Sequence, residues 1–260
     1  MTIPFIDHHT HTLFSWDSQT TLEELVLSAR KEQILGFVVT DHIEFHPSDR
    51  GFSHYNYEKA LEAYEIVRQI NPDLKIRFGA EISHHPKHIV EIKDFLSKKR
   101  FHFTIGSNHN IGWEEVPDYV SRLEKEGDDF KESLTPYFED CLKLIESNLY
   151  DAIGHIDFPK RFLKKRLPPD FFVNYYERII RSILTASLDM GVFVEVNTAP
   201  YRAQINEPYP GWEILRLYRK LGGKEVILSS DAHRQEDLAT AFEAVIKELS
   251  RIEISVRNGV

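Results

Sequence analysis

Seven times along this chain a short β-branched or aromatic run gives way to a helical pattern, with no linker between one unit and the next. The runs predict strands at residues 4–9, 36–40, 76–81, 101–107, 152–155, 192–196 and 226–230. They are nearly continuously apolar rather than alternating, which suits parallel strands covered on both faces. Helical periodicity fills 21–34, 57–70, 87–98, 133–147, 170–190, 211–221 and 235–249. The first of these opens on a capping box made by Thr20 or Thr21 with Glu23 or Glu24. Such a chain is an α/β protein, and its seven units predict a distorted seven-stranded (β/α)7 barrel filling residues 1–260 as one domain. A doubly wound open sheet would need a glycine-rich phosphate loop after an early strand. The sequence has none, and Gly222-Gly223, between a helix and a strand, reads as a cap and turn.

Every predicted strand ends on a residue able to bind metal: His9 and His11, His42, Glu81, His109, His155, Glu195, and finally Asp231 with His233. Alternation along a strand aims His9 and His11 the same way, and likewise Asp231 and His233. Reactive groups of α/β barrels sit at the C-terminal ends of their strands, so these residues predict a ring of ligands around one mouth. Two neighbouring buried imidazoles otherwise need separate hydrogen-bond partners, and Glu81 at the end of an apolar strand is costly unless paired or coordinated. Imidazole with carboxylate selects zinc, manganese or iron over magnesium or calcium. Asp17 lies in a polar loop, where its chemistry alone leaves a turn role open. Alternation points His8 away from His9, as a packed or supporting residue. His46, His54, His88 and His102 read as surface or loop residues, and His84 and His85 lie just past Glu81 at the mouth.

Two stretches look less regular: 45–56 predicts a loop over the mouth, and 111–130 predicts a lid. A formal net charge of -9 offers no basic footprint for nucleic acid. The single cysteine, Cys141, excludes an internal disulfide and falls in the apolar pattern of a helix. There is no signal-peptide pattern and no apolar run long enough to span a bilayer, so the expected place is the cytoplasm, without membrane association.

The ordered segments Asp7-His8-His9-Thr10-His11-Thr12, Thr40-Asp41-His42, Gly79-Ala80-Glu81, Gly106-Ser107-Asn108-His109, Gly154-His155 and Ser230-Asp231-Ala232-His233 resemble the motifs of the PHP (polymerase and histidinol phosphatase) superfamily. Within it, Glu195-Val196-Asn197-Thr198, Arg202, Glu207-Pro208-Tyr209-Pro210 and Asp231-Ala232-His233-Arg234 resemble the monofunctional histidinol-phosphate phosphatases. The resemblance implies three divalent ions (zinc, manganese or iron). One would be held by His9, His11, Glu81 and Asp231, a second by Glu81, His109 and His155 with Glu81 bridging, and a third by Asp17, His42 and His233. It also places Glu81, Asp231 and His233 at the chemistry. Three such ions, less three carboxylates and a hydroxide, leave a surplus of about two positive charges, matching a phosphate monoester dianion.

The expected reaction is therefore hydrolysis of L-histidinol phosphate to L-histidinol and phosphate, a step of histidine biosynthesis, by attack of a metal-bound hydroxide. The alternatives are another small phosphate ester, such as a sugar phosphate or nucleotide, or a C–N hydrolase of amidohydrolase type. The latter usually bridges its metals with a lysine at a strand end, and no predicted strand ends in one. Arg161, after the fifth strand, and Arg202, after the sixth, are candidates for binding a phosphoryl oxygen in forked geometry, and Asn197 for orienting a ligand. Glu195 is expected to support the metal ligands from behind.

Overall fold

The computed structural model describes residues 3–163, 167–203 and 205–259. Among the described residues, seven parallel strands form the ring of the sheet: β1 (Ile3–Thr10), β2 (Ile34–Val39), β3 (Lys75–Ser83), β4 (Phe103–Ser107), β5 (Ala152–Ile153), β6 (Phe193–Asn197) and β7 (Glu225–Ser229). They pair in chain order. A parallel bridge from Thr10 to Ala232, with the His11 amide donating to the Ala232 carbonyl at 2.8 Å, joins the last strand's end to the first and closes the barrel at its upper rim. Two short strands extend the plan. His42–Ile43 resumes the line of β2 beyond Thr40 and Asp41 and pairs with β3, setting His42 opposite Glu81. Ser255–Val256 pairs with the start of β7.

Among the described residues, eight α-helices surround the sheet: α1 (Leu22–Lys31), α2 (Tyr57–Ile70), α3 (Ile89–Lys98), α4 (Val116–Glu126), α5 (Thr135–Glu146), α6 (Phe171–Met190), α7 (Trp212–Lys220) and α8 (Phe242–Arg251). The capping box uses Thr21 and Glu24: the Glu24 amide donates to Thr21 Oγ1 at 3.2 Å, and the Thr21 amide to Glu24 Oε2 at 2.8 Å. Cys141 is buried within α5. Two apolar layers result. One lies between sheet and helices, with Leu25, Phe37, Phe78, Phe138 and Leu228 among its members. The other collects Ile6, Val38, Phe103, Ile105, Ala152 and Ile227 from strands all around the ring, and so fills the lumen below the mouth.

Three expectations need correction. The stretch 111–130 is regular: a two-residue hairpin (Asn110–Ile111 with Glu114–Glu115) leads into α4, which has Pro117 in its first turn and Gly127 at φ 79° as its left-handed stop. The last helix starts seven residues later than its periodicity suggests, because Ala239 and Ala241 adopt positive φ (57° and 59°) and the Ala239 amide is held by Asp7 at 3.1 Å. His8 does not oppose His9. The register of β1 on β2 shifts between Asp7 and Thr10, a bulge that interrupts in–out alternation. His8 turns inward against Phe103 (ring centroids 5.8 Å apart) and donates to the Leu228 carbonyl at 3.1 Å. Burial pushes it down to about 4, so it is a neutral packed imidazole.

Candidate metal centre

The strand ends and the loop after β1, which carries Asp17, bring all nine expected ligands to one cluster at the mouth, which opens into a cleft of about 480 Å³. That is the size of a small-molecule site. Backbone strain marks the place: His155 and Asp231 lie in the left-handed region, at φ 46° and 54°, which few non-glycine residues adopt. Gly154 lets β5 approach β4 there, since a Cβ on it would lie 2.2 Å from Ser107 Oγ.

Glu81 is the hub. Its Oε2 lies 2.9 Å from His42 Nδ1, 3.2 Å from His9 Nε2 and 3.7 Å from His11 Nε2, while its Oε1 lies 2.9 Å from His155 Nε2 and 3.4 Å from His109 Nε2. Asp231 Oδ1 lies 3.2 Å from His11 Nε2, and Asp17 Oδ2 lies 3.1 Å from His233 Nε2 and 3.6 Å from His42 Nε2. Three sets of ligand atoms lie within 4.8 Å of one another: His9, His11 and Asp231; His42, Glu81 and His109; and His11, His42 and His233.

Whether these residues fit metal can be read from their tautomers, as the hydrogen-bond network assigns them. His9 Nδ1 donates to Glu195 Oε1 at 2.6 Å, His11 Nδ1 to Ser15 Oγ at 2.9 Å, and His233 Nδ1 to the Asp231 carbonyl at 3.0 Å. In the neutral rings each Nε2 then carries a lone pair, and each faces a carboxylate oxygen at 3.1–3.2 Å. Acceptor faces acceptor three times over. Only a cation between them, a proton or a metal, removes the conflict.

Burial opposes a charge on His9, but Glu81, Glu195 and Asp231 outweigh it and hold this imidazole well above its usual range. His11 has no such escape: burial, followed by the neighbouring His233 and His42, drives it well below. A ring that stays neutral with its lone pair aimed at a carboxylate is a metal ligand's arrangement. The outer bonds to Glu195 and Ser15 are those that orient ligating imidazoles. Nε2 of both His9 and His11, and Glu81 Oε2, are buried without a hydrogen-bond partner.

Supporting groups hold the frame. Glu195 also accepts from Ser229 Oγ at 2.7 Å, which fixes the carboxylate facing His9 Nδ1. Asp41 accepts from the Thr12 amide (2.6 Å), Thr12 Oγ1 (2.8 Å) and Ser15 Oγ (3.0 Å), tying the loop after β1 to the end of β2. Asp7 accepts from the Ser230 amide at 2.9 Å and anchors the segment after β7, and burial pushes its carboxyl up to about 6.

The candidate substrate residues fare unequally. Arg161 lines the cleft with no carboxylate in ion-pair range among the described residues. Arg202 also lines it, but its guanidinium donates to the carbonyls of Ser230 (2.6 Å) and Asp231 (3.0 Å), so it positions the last ligands' backbone. Asn197 is fully buried, accepts from the Ala199 amide at 2.9 Å and is not among the residues lining the cleft. Lys160 is committed to Asp157 and Glu207. His46, read as a surface or loop residue, lies in a loop and is buried there, packed on His85, His88 and Trp113.

Sequence reasoning missed Glu44, Asp49 and Arg234, all of which line the cleft. Glu44 Oε1 lies 3.5 Å from His42 Nδ1 and 3.6 Å from His109 Nδ1. It stands two residues beyond His42 in extended chain, the same spacing that made His9 and His11 conspicuous.

A PHP domain family model matches residues 7–199. The chain belongs to the PHP domain family. PHP relatives similar to it along most of their length include a protein of Clostridium acetobutylicum named probable histidinol-phosphatase, 26% identical over 245 residues, covering 93% of this chain and 91% of that one. Another is the histidinol-phosphatase of Lactococcus lactis, 27% identical over 233 residues, covering 88% and 84%. The crystal structure of the Lactococcus lactis histidinol phosphate phosphatase, complexed with zinc, L-histidinol and phosphate, superposes with a TM-score of 0.84 over 97% of this chain and 95% of that one. At 22% sequence identity it shares the fold.

Proposed function

We propose that this PHP chain is a metal-dependent phosphomonoesterase that hydrolyses L-histidinol phosphate to L-histidinol and phosphate. The observation that carries the proposal is the threefold facing of imidazole lone pairs and carboxylate oxygens around Glu81, Asp231 and Asp17. The names of the relatives and the zinc, histidinol and phosphate of the Lactococcus lactis structure support the substrate. Three ions would be held by the ligand sets the family resemblance implies: His9, His11, Glu81 and Asp231; Glu81, His109 and His155; and Asp17, His42 and His233. Zinc, manganese and iron all suit the donors. Divalent ions in such a cluster polarise phosphoryl oxygens and lower the pKa of water to near 7.

The chain's own residues do the rest. Glu81 offers one oxygen to each side of the cluster, and Glu195, Ser15 and the Asp231 carbonyl keep the Nε2 lone pairs inward. Arg161 is poised for the phosphate, and Arg202 holds the backbone of Asp231. No lysine lines the cleft among the described residues, which removes the bridging group an amidohydrolase-type C–N hydrolase usually employs. The test is phosphate release from a panel of esters by protein stripped with a chelator and reloaded with each metal. Stripping is expected to cut turnover at least about 100-fold and reloading to restore it, with close to three ions bound per chain. Good turnover of a sugar phosphate or nucleotide beside negligible turnover of L-histidinol phosphate would refute the substrate.

A further inference from the structure

The barrel has one irregular joint. Every other neighbouring pair of its strands is laddered, but among the described residues β7 and β1 meet only in the bridge of Thr10 with Ala232, beyond the end of β7. The Thr198 amide takes the Ser229 carbonyl at 2.8 Å, so the backbone groups of Leu228 and Ser230 turn the other way, towards β1. Buried backbone groups need partners. Here side chains of β1 stand in for the missing ladder. His8 Nδ1 donates to the Leu228 carbonyl at 3.1 Å, and the Ser230 amide donates to Asp7 Oδ1 at 2.9 Å.

Asp7 does more than fill a gap. It is fully buried, and its other oxygen accepts from Ser230 Oγ and, at 3.1 Å, from the Ala239 amide. One carboxylate therefore pins both ends of the segment from Ser230 to Ala239, which carries Asp231 and His233. Asp231 needs such a hold, since its φ of 54° is a strained state that persists only when its surroundings fix it. The proposed ligand sets divide at this joint. His9, His11 and Asp17 come from β1 and the chain just after it, and Asp231 and His233 from just beyond β7. Two of the three sets thus draw ligands from both sides. The set of Glu81, His109 and His155 belongs to β3 and to the chain after β4 and β5, and does not cross it.

We infer that Asp7, which is not among the residues lining the cleft, is a positioning residue: it closes the barrel between β7 and β1 and sets the span across which His9 and His11 face Asp231, and Asp17 faces His233. The inference rests on the metal-dependent reading and adds which ions depend on the joint.

The experiment titrates chelator-stripped protein with zinc and follows both the ions bound per chain and amide hydrogen exchange. Asp7→Asn keeps size, but whichever way the new amide turns, the Ser230 or the Ala239 N–H faces a donor. Two of the three ions are expected to bind at least about tenfold more weakly, the scale of a lost supporting contact, with the third unchanged. That third ion should vanish when His109→Ala is added. Ile105→Ala, which loosens the floor of the barrel away from the joint, is expected to keep all three, and this separates positioning from general destabilisation. Wild-type affinity for all three ions in Asp7→Asn overturns the inference, and so does equal weakening of all three. If Asp7→Asn does not fold, the stripped wild type decides. Its Ser230 and Ala239 amides should exchange within about tenfold of their rates in the loaded protein, because Asp7 and not metal closes the joint. Exchange as fast as in an open loop overturns it. Should the wild type take up no ion at all, the metal-dependent reading falls. The joint is then judged on the exchange of those two amides in Asp7→Asn, where unchanged rates sink it.

Discussion

The lower and upper halves of the barrel lumen solve opposite problems. Below, Ile6, Val38, Phe103, Ile105, Ala152 and Ile227 meet as apolar side chains, each needing only its neighbours. Above, the strand ends bring Nε2 of His9, His11 and His233 against oxygens of Glu81, Asp231 and Asp17, acceptor to acceptor. The lower half is complete as the chain folds. The upper half is complete only when cations enter it, because desolvated lone pairs facing one another are costly. On the proposed function, the floor supplies stability and the unmet demand at the rim would become binding energy for metal.

That contrast can be broken at either end. The largest effect is expected from Glu81→Ala, which removes both oxygens of the hub. Turnover should fall by about 10³-fold or more with the circular dichroism spectrum retained. Normal kinetics would show that Glu81 bridges nothing. Ile105→Ala in the floor should do the reverse, lowering unfolding stability by about 2–4 kcal/mol in denaturant melts while the folded fraction keeps its metal. Metal loss without destabilisation would mean that the two halves are not separable. The smallest effect is expected from Glu195→Gln, which keeps the shape behind His9 but weakens the hold on its Nδ1 proton. A loss of about 10–100-fold in metal affinity, read by competition with a chelator, is expected. No change in affinity would reduce Glu195 to packing.

Local rules recovered most of the frame. Strands, helices and the Thr21/Glu24 cap follow from patterns a few residues long, and eight of the nine candidate ligands stood out by ending apolar strands, whereas Asp17, in a polar loop, came only from the family resemblance. Where the patterns misled, a longer-range contact had won. α4 was obscured by Trp113, Pro117 and its acids, although Val116, Val120 and Leu123 carry helical spacing and Gly127 a stop. The start of α8 is set by Asp7, more than two hundred residues earlier in the chain. The direction of His8 depends on a bulge, which exists only once β1 has found its register on β2.

What the amino-acid order determined alone was the number of βα units and the residue types at their ends, because both are written in short-range periodicity. Only the closed barrel decided which of those groups conflict, that Glu44 meets His109 and that Asp49 meets Asn110. Those are facts about distances across a ring, and no local pattern encodes them.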